Sequence, residues 1–257
     1  MIRVALCGAC GRVGQLIIKQ VSLQKDMKLV AAVDAPNATC LGKDAGDVAG
    51  VSGLGVKVVG SDGLADVLKN SKPDVLVDFT NASAAVQNLK AAADAGVGVV
   101  VGTTGFSPAQ WKDIEKTIKE KKIRAVISPN MSVGVNVFFK TVEELAKRLG
   151  PDYRIGITEV HHVHKQDTPS GTAKKAAQIL AKALGKSADS IAIKSIREGE
   201  VVGDHTVIFT KSDEKIEITH SAFTRETFAV GVIRAIRHVA ENGKKGEIHE
   251  MQDVLGL

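Results

Sequence analysis

A glycine turn set between an apolar run and an amphipathic run constrains this chain more than any other feature. Ile2–Leu6 reads as a short buried strand, Gly8-Ala9-Cys10-Gly11-Arg12-Val13-Gly14 follows, and Q-L-I-I-K-Q-V then has helical periodicity. A second apolar run, Lys28 to Val33, ends in Asp34, about 20 residues beyond the last glycine. Strand, G-x-x-G-x-x-G turn, helix, strand and terminal acid make up a βαβ unit suited to a dinucleotide. The glycines permit a tight turn and close approach of a pyrophosphate to the helix start, where unpaired N–H groups and the helix dipole attract it. A turn that was only structural would require neither the spacing nor the acid. Asp34 is placed to accept hydrogen bonds from an adenosine ribose and to repel a 2′-phosphate. Ala35-Pro36 follow, so no arginine adjoins it. NADH is therefore the expected preference, with Arg12 and Lys43 leaving NADPH possible.

Downstream, apolar strands end repeatedly in polar clusters. Asp74–Asp78 leads to Phe79-Thr80, Val97–Val101 to Gly102-Thr103-Thr104-Gly105, and Ile123–Ile127 to Ser128-Pro129-Asn130-Met131-Ser132. Helices at Ala82–Ala95 and Pro108–Lys121 separate them. In an open parallel sheet, ligands bind beyond the carboxyl ends of the strands, so these clusters are expected to line one crevice. Asn37–Lys72 is glycine-rich and irregular, with one short strand at Val56–Val59 and a helix at Gly63–Asn70. Past Met131 the strict alternation stops. A helix, Asn136–Leu149, precedes strands at Tyr153–Val160, Ile191–Ile196, Val201–Thr210 and Lys215–Phe223, the last two forming a hairpin around Ser212-Asp213. The pattern predicts an α/β chain. Residues 1–131 and 226–257 would form a Rossmann domain, and 132–225 an α+β domain on a mostly antiparallel sheet. A final amphipathic helix, Thr227–Ala240, is expected to pack back on the first domain.

The densest chemistry lies in Glu159–Ala173, E-V-H-H-V-H-K-Q-D-T-P-S-G-T-A. Its first half reads as a strand, whose alternation would put His161 and Lys165 on one face and His162 and His164 on the other. Its second half reads as a helix start, with Asp167 or Thr168 as N-cap and Pro169 at the first helical position. Ser170, Gly171 and Thr172 would then hold a carboxylate or phosphate on the helix N-terminus, beside one or two proton donors. Histidine titrates near neutral pH, whereas a lysine, with a reference pKa of about 10.4, needs a site that lowers it. Two histidines on a strand could also chelate zinc, with Asp167 as a third ligand. Lys165 and a helix N-terminus both disfavour a cation there, so no metal is expected.

Composition removes several classes. The chain has 257 residues and a formal net charge of +5, with one Trp and one Tyr. A nucleic-acid surface needs aromatics among its basic residues, so none is expected, while mild basicity suits small anionic ligands. The N-terminus enters a strand at once and no apolar run reaches about 18 residues, so a soluble cytoplasmic protein without membrane contact is expected. Cys7, Cys10 and Cys40 are odd in number, unlike a secreted disulfide framework. Cys7-Gly8-Ala9-Cys10 has the C-x-x-C spacing of a redox pair, but the glycine turn accounts for it better.

With these motifs in view, the chain resembles the 4-hydroxy-tetrahydrodipicolinate reductase (dihydrodipicolinate reductase) family of the diaminopimelate route to lysine. The carriers, in order, are Gly8–Gly14, D-F-T at Asp78–Thr80, G-T-T-G-F at Gly102–Phe106, S-P-N-M-S-V-G-V-N at Ser128–Asn136, His161–Ala173 and M-Q-D-V-L-G-L at Met251–Leu257. The resemblance implies a Rossmann domain completed by the C-terminal segment, a substrate domain whose sheet assembles a homotetramer, and NADH or NADPH as hydride donor to a cyclic dicarboxylate. It also implies His161 as catalytic proton donor/acceptor, Lys165 as second proton donor and His162 as a substrate contact, with Gly171 and Thr172 on a substrate carboxylate. Gly8 to Val13, Asp34, Phe79, Thr80, Gly102 to Thr104 and Ser128 to Met131 would contact the cofactor. Many members carry an acidic-Arg pair where this chain has Asp34-Ala35, and a basic residue where it has Asn81. Both departures point away from NADPH.

Rival oxidoreductases fit poorly. No cysteine after Cys40 could serve as a semialdehyde dehydrogenase nucleophile, and the lone tyrosine, Tyr153, lacks the Tyr-x-x-x-Lys spacing of short-chain dehydrogenases. A non-enzymatic NAD(P)H sensor stands as the alternative, distinguishable by whether substrate causes loss of absorbance at 340 nm.

Overall fold

The structure is a computed structural model and describes the whole of Met1–Leu257. The chain divides into two compact units, Met1–Ser132 with Phe228–Gly256, and Val133–Thr227.

The first unit opens with β1 (Ile2–Cys7), α1 (Arg12–Ser22), β2 (Met27–Asp34), α2 (Ala45–Val48), β3 (Val58–Gly60) and α3 (Leu64–Ser71). It continues through β4 (Val75–Asp78), α4 (Ala82–Asp94), β5 (Gly98–Val101), α5 (Pro108–Lys121) and β6 (Ala125–Ile127). The second unit holds α6 (Val133–Leu149), β7 (Arg154–His161), α7 (Gly171–Leu184), β8 (Ala192–Arg197), β9 (Gly203–Thr210) and β10 (Lys215–Ala222). Then α8 (Glu226–Arg237), β11 (Ile248–His249) and α9 (Met251–Leu255) close the chain.

Seven strands form the first sheet in the order β11-β6-β5-β4-β1-β2-β3, and every pairing in it is parallel. Both faces are covered, which is why its strands read as continuous apolar runs. Alternation along β1 sends Val4 and Leu6 to one core and Ala5 and Cys7 to the other. Ile17 and Val21 of α1 and Val232 and Ile236 of α8 fill the first core; Leu68 of α3, Leu89 of α4 and Ile118 of α5 fill the second. Each such side chain contributes about 1.5–3 kcal/mol on burial. The strand order reverses between β1 and β4, which is the switch point where ligands bind in folds of this type. Helix α5 begins where the sequence places it, because Ser107 and Gln110 close a capping box around Pro108. β11 and α9 escape the sequence reading, being too short to show periodicity.

The second sheet is mixed, and this corrects the expectation of a mostly antiparallel one. In the order β10-β9-β7-β8, strand β9 runs antiparallel to both β7 and β10, but β8 is parallel to β7. The cause is α7: a helix lying between two neighbouring strands of one sheet makes a βαβ crossover, which returns the chain in the same direction. The core of this unit is built by Phe138 and Val142 of α6, Ala176 and Leu180 of α7, and Ile157, Val207 and Phe209 of the sheet.

Candidate functional site

In the first unit the glycine turn follows the end of β1. Gly8 has φ of +86°, and a side chain there would strike the Phe79 carbonyl, while one on Gly14 would strike the Gly8 carbonyl. Only glycine fits either place, and the bare backbone leaves room for a pyrophosphate at the start of α1. Gly11 caps that helix without a side-chain bond. Asp34 binds back to the turn: its carboxylate accepts from the Cys10 N–H at 2.7 Å and from the Ala35 N–H at 2.8 Å. These observations fit a dinucleotide.

The neighbouring strand ends are tied together through Asp78, which is buried. Its carboxylate accepts from Thr103 Oγ1 at 2.7 Å, from Thr80 Oγ1 at 2.8 Å and from Asn88 Nδ2 of α4 at 2.7 Å. The Thr80 N–H reaches Thr103 Oγ1 at 2.9 Å, and Ser128 Oγ donates to the Asn130 carbonyl at 3.0 Å. Gly102 accommodates the Phe79 ring where a side chain would collide. Asp78 and Asn88 thus hold loops that the sequence identified only as polar clusters.

The cysteines add a link that the sequence reading did not include. Cys10 is joined in a disulfide to Cys40, across a Cα–Cα distance of 6.4 Å, and not to Cys7. Cys7 is buried and free, and its thiol is pushed up by burial and then by Asp78 and Asp34. It makes no C-x-x-C redox pair.

In the second unit, β7 ends at His161, so strand alternation does not carry through to Lys165. A turn closed by the Lys165 N–H on the His162 carbonyl brings the lysine round instead, and Lys165 Nζ pairs with Asp167 Oδ1 at 2.7 Å. Helix α7 also begins later than expected. Ser170 is its N-cap, with Gly171 first in the helix; Asp167, Thr168 and Pro169 precede it, and the Thr168–Pro169 peptide is cis. The Ser170 hydroxyl is buried, accepting from the Ala173 N–H at 3.2 Å and pairing with His205 Nε2 at 3.0 Å. Gly171 and Thr172 stand at the N-terminal turn of a 14-residue helix. His162 is partly buried; His164 is exposed, 3.7 Å from Glu200 Oε1.

His161 lies within a cluster that the sequence reading missed. On β7, Ile155, Ile157, Glu159 and His161 share one face; on β9, Phe209, Val207 and His205 continue it. Glu159 is opposite His205, and His161 is opposite Arg197 of β8. Glu159 is fully buried; one oxygen meets His161 Nδ1 and the other accepts from Arg197 Nη1 at 3.0 Å. Burial raises the Glu159 carboxyl, but its partners, Arg197 and His161 among them, hold it below the usual carboxylate value. Burial pulls His161 below the usual histidine value, opposed by Glu159 and aided by Lys165 and Arg197. His205, edge-on to His161 at 5.0 Å, is pulled down to about 3 by burial and by His161, and so is neutral. Glu159, His161 and His205 have the composition of a metal triad. Arg197 on the carboxylate and the charge of Lys165 oppose a cation there. The available signal was an apolar face of period two on each strand that turns polar at the same end of the sheet.

Comparison with known proteins agrees with the motifs. A family described as "Dihydrodipicolinate reductase, N-terminus" matches residues 2–131, and one described as "Dihydrodipicolinate reductase, C-terminus" matches residues 134–255. A 4-hydroxy-tetrahydrodipicolinate reductase of Methanocaldococcus jannaschii is 49% identical, covering 100% of this chain and 98% of its own. One of Methanothermobacter thermautotrophicus is 46% identical over 100% of both chains. Among solved structures, a dipicolinate-bound dihydrodipicolinate reductase from Paenisporosarcina sp. TG-14 superposes with a TM-score of 0.82. It is 26% identical and covers 98% of each chain.

Proposed function

We propose that this chain, which belongs to the dihydrodipicolinate reductase family, reduces 4-hydroxy-tetrahydrodipicolinate (dihydrodipicolinate) to tetrahydrodipicolinate in lysine biosynthesis through diaminopimelate. It is an NAD(P)H-dependent oxidoreductase. The observation that carries the reading is the Glu159 carboxylate joining His161 to Ser170, the N-cap of α7, with Lys165 in the loop between them, in a chain whose first unit has a dinucleotide turn.

A reduced nicotinamide dinucleotide held through its pyrophosphate at the turn would supply hydride. The residues of the chain do the rest. Gly8, Ala9, Cys10, Gly11, Arg12 and Val13 cradle the pyrophosphate, and Asp34 takes the ribose hydroxyls. The loops at Phe79-Thr80, Gly102-Thr103-Thr104 and Ser128-Pro129-Asn130-Met131 line the same cofactor edge. On the substrate side, the helix start at Ser170, Gly171 and Thr172 holds a carboxylate. Ser170 acts there through the cap it forms, and Gly171 and Thr172 through their N–H groups. His162 contacts the substrate, and His161 and Lys165 supply the proton that follows hydride addition, worth roughly 10²–10⁴-fold. A dicarboxylate suits this site: the Paenisporosarcina relative is described with dipicolinate bound, and here Lys165 lies in the loop that leads into the N-terminus of α7.

NADH is the preferred donor in this reading, because Asp34 stands without a neighbouring arginine. The enzyme works in the cytoplasm as a homotetramer assembled by the second unit, which light scattering on the purified protein tests. The decisive assay couples the protein to a dihydrodipicolinate synthase reaction and follows NADH and NADPH oxidation separately at 340 nm. Substrate-dependent oxidation is expected; its absence overturns the activity. A kcat/KM ratio favouring NADPH tenfold or more overturns the cofactor preference alone.

A further inference from the structure

We infer that the buried Glu159–Arg197 pair is the positioning device for both proton donors, fixing the tautomer of His161 and the loop that carries Lys165. The inference rests on the reading of His161 and Lys165 given above.

Glu159 is ionised, so it can only accept, and the proton between it and His161 sits on His161 Nδ1. The working nitrogen of the ring is therefore Nε2. That atom lies against Gly203, where a Cβ would sit only 2.9 Å away, so a bare backbone gives the ring room in this orientation. Glu159 is in turn held on its other oxygen by Arg197 Nη1 at 3.0 Å and by the Ser170 N–H at 3.4 Å. The same carboxylate thus touches both the catalytic ring and the cap residue of the carboxylate-binding helix.

The other nitrogens of Arg197 reach the loop between His161 and α7. Nη2 donates to the Asp167 carbonyl at 2.6 Å and to Thr168 Oγ1 at 3.0 Å, and Nε to the Lys165 carbonyl at 3.4 Å. One planar guanidinium therefore spans from Glu159 to the backbone of Lys165. A lysine in its place would keep the charge and lose the fork.

When the imidazole gives up its Nε2 proton, the remaining proton stays on Nδ1, donated to the Glu159 carboxylate, which stays ionised as in other His–carboxylate pairs. The groups facing His161 are Glu159 on its own strand, Lys165 and Asp167 from the following loop, Arg197 from β8 and His205 from β9. Glu159 favours the charged ring, while Lys165 and Arg197 oppose it. Removing the Glu159 charge leaves Lys165 and Arg197 opposed by Asp167 alone.

The first test needs no variant. Nitrogen-15 NMR of the imidazoles in the full-length wild-type enzyme at neutral pH is expected to show His161 protonated at Nδ1. Protonation at Nε2 overturns the proposal, whatever the activity assays give. The second test is a cycle. Glu159→Gln is expected to lower kcat about 10²-fold or more, leave KM for NADH unchanged, and move the His161 limb of the pH profile to lower pH. In a His161→Ala background the same change should cost clearly less, what remains acting through Arg197 on the Lys165 loop; an equal cost in both backgrounds assigns Glu159 a merely structural role. If Glu159→Gln fails to fold, Arg197→Lys with the same NMR and cycle decides the matter. The reading of His161 as proton donor fails separately, if His161→Ala alone retains wild-type kcat.

Discussion

The glycine turn of the first unit and the histidine cluster of the second must both hold a ligand, and they are made of different materials. The turn is largely backbone: glycines that leave room, N–H groups at a helix start, and one carboxylate, Asp34, bound back to the Cys10 and Ala35 amides. The cluster is largely buried side chains, with Glu159, His161, Arg197 and His205 drawn from three adjacent strands. A site of backbone tolerates changes of side-chain chemistry but not of shape. A site of buried charges behaves in the opposite way, since each member depends on its partners for compensation.

The largest expected effect breaks the second region and leaves the first intact. His161→Ala and Lys165→Ala should each lose about 10²–10⁴-fold in kcat while NADH affinity, read by fluorescence, stays at the wild-type value. Wild-type kcat/KM in either variant shows that its assigned role is wrong. Loss of NADH binding in both would dissolve the separation of the two regions.

That separation also explains how much was legible in the sequence. Gly8, Gly11, Gly14 and Asp34 lie in one short stretch with fixed spacing, so their joint purpose can be read without a fold. His161 and Lys165 were legible for the same reason, being close in the chain. Glu159 was in view, but its role depends on Arg197 and His205, and strand pairing alone brings those together. The parallel β7–β8 pair, which places Arg197 against His161, was the feature that reading the strands as mostly antiparallel missed. Ser170 shows the limit of local reading: a residue marked for a substrate carboxylate has its hydroxyl committed to the α7 cap and to His205.

A second prediction loosens the first region. The Cys10–Cys40 disulfide joins the glycine turn to the segment after β2, closing a loop with a sequence separation of 30. Constraint of the unfolded chain by a loop of this size contributes about 3–4 kcal/mol. Cys40→Ser, or wild type in dithiothreitol, should lose about that much in urea unfolding, with no shift in the pH profile of kcat. A pH-profile shift would mean that the two regions are coupled.

Acid should act on the second region first. His205 is neutral in the fold, with its pKa lowered to about 3, but in the unfolded chain it titrates at the ordinary value near 6.5. As pH falls below that value the unfolded state gains a proton that the folded state refuses. Stability present above pH 6.5 is therefore lost progressively down to about pH 3. By pH 5 the loss from this group is about 2 kcal/mol. His205→Gln should flatten the slope of unfolding free energy between pH 6.5 and 5; an unchanged slope would place the acid sensitivity elsewhere.

The smallest expected effect tests whether the first region uses side-chain chemistry at all. Asp34 is its one carboxylate, and hydrogen bonds to a charged acceptor are worth about 1.5–3 kcal/mol. Asp34→Ser keeps a short acceptor for the Cys10 amide and removes the charge that repels a 2′-phosphate. The ratio of kcat/KM for NADH over NADPH should fall by roughly tenfold, mostly through KM, because the reacting groups lie in the other unit. If kcat falls instead and the ratio holds, Asp34 supports the turn without reading the cofactor. The discrimination would then belong to the backbone, and the contrast between the two regions would be sharper still.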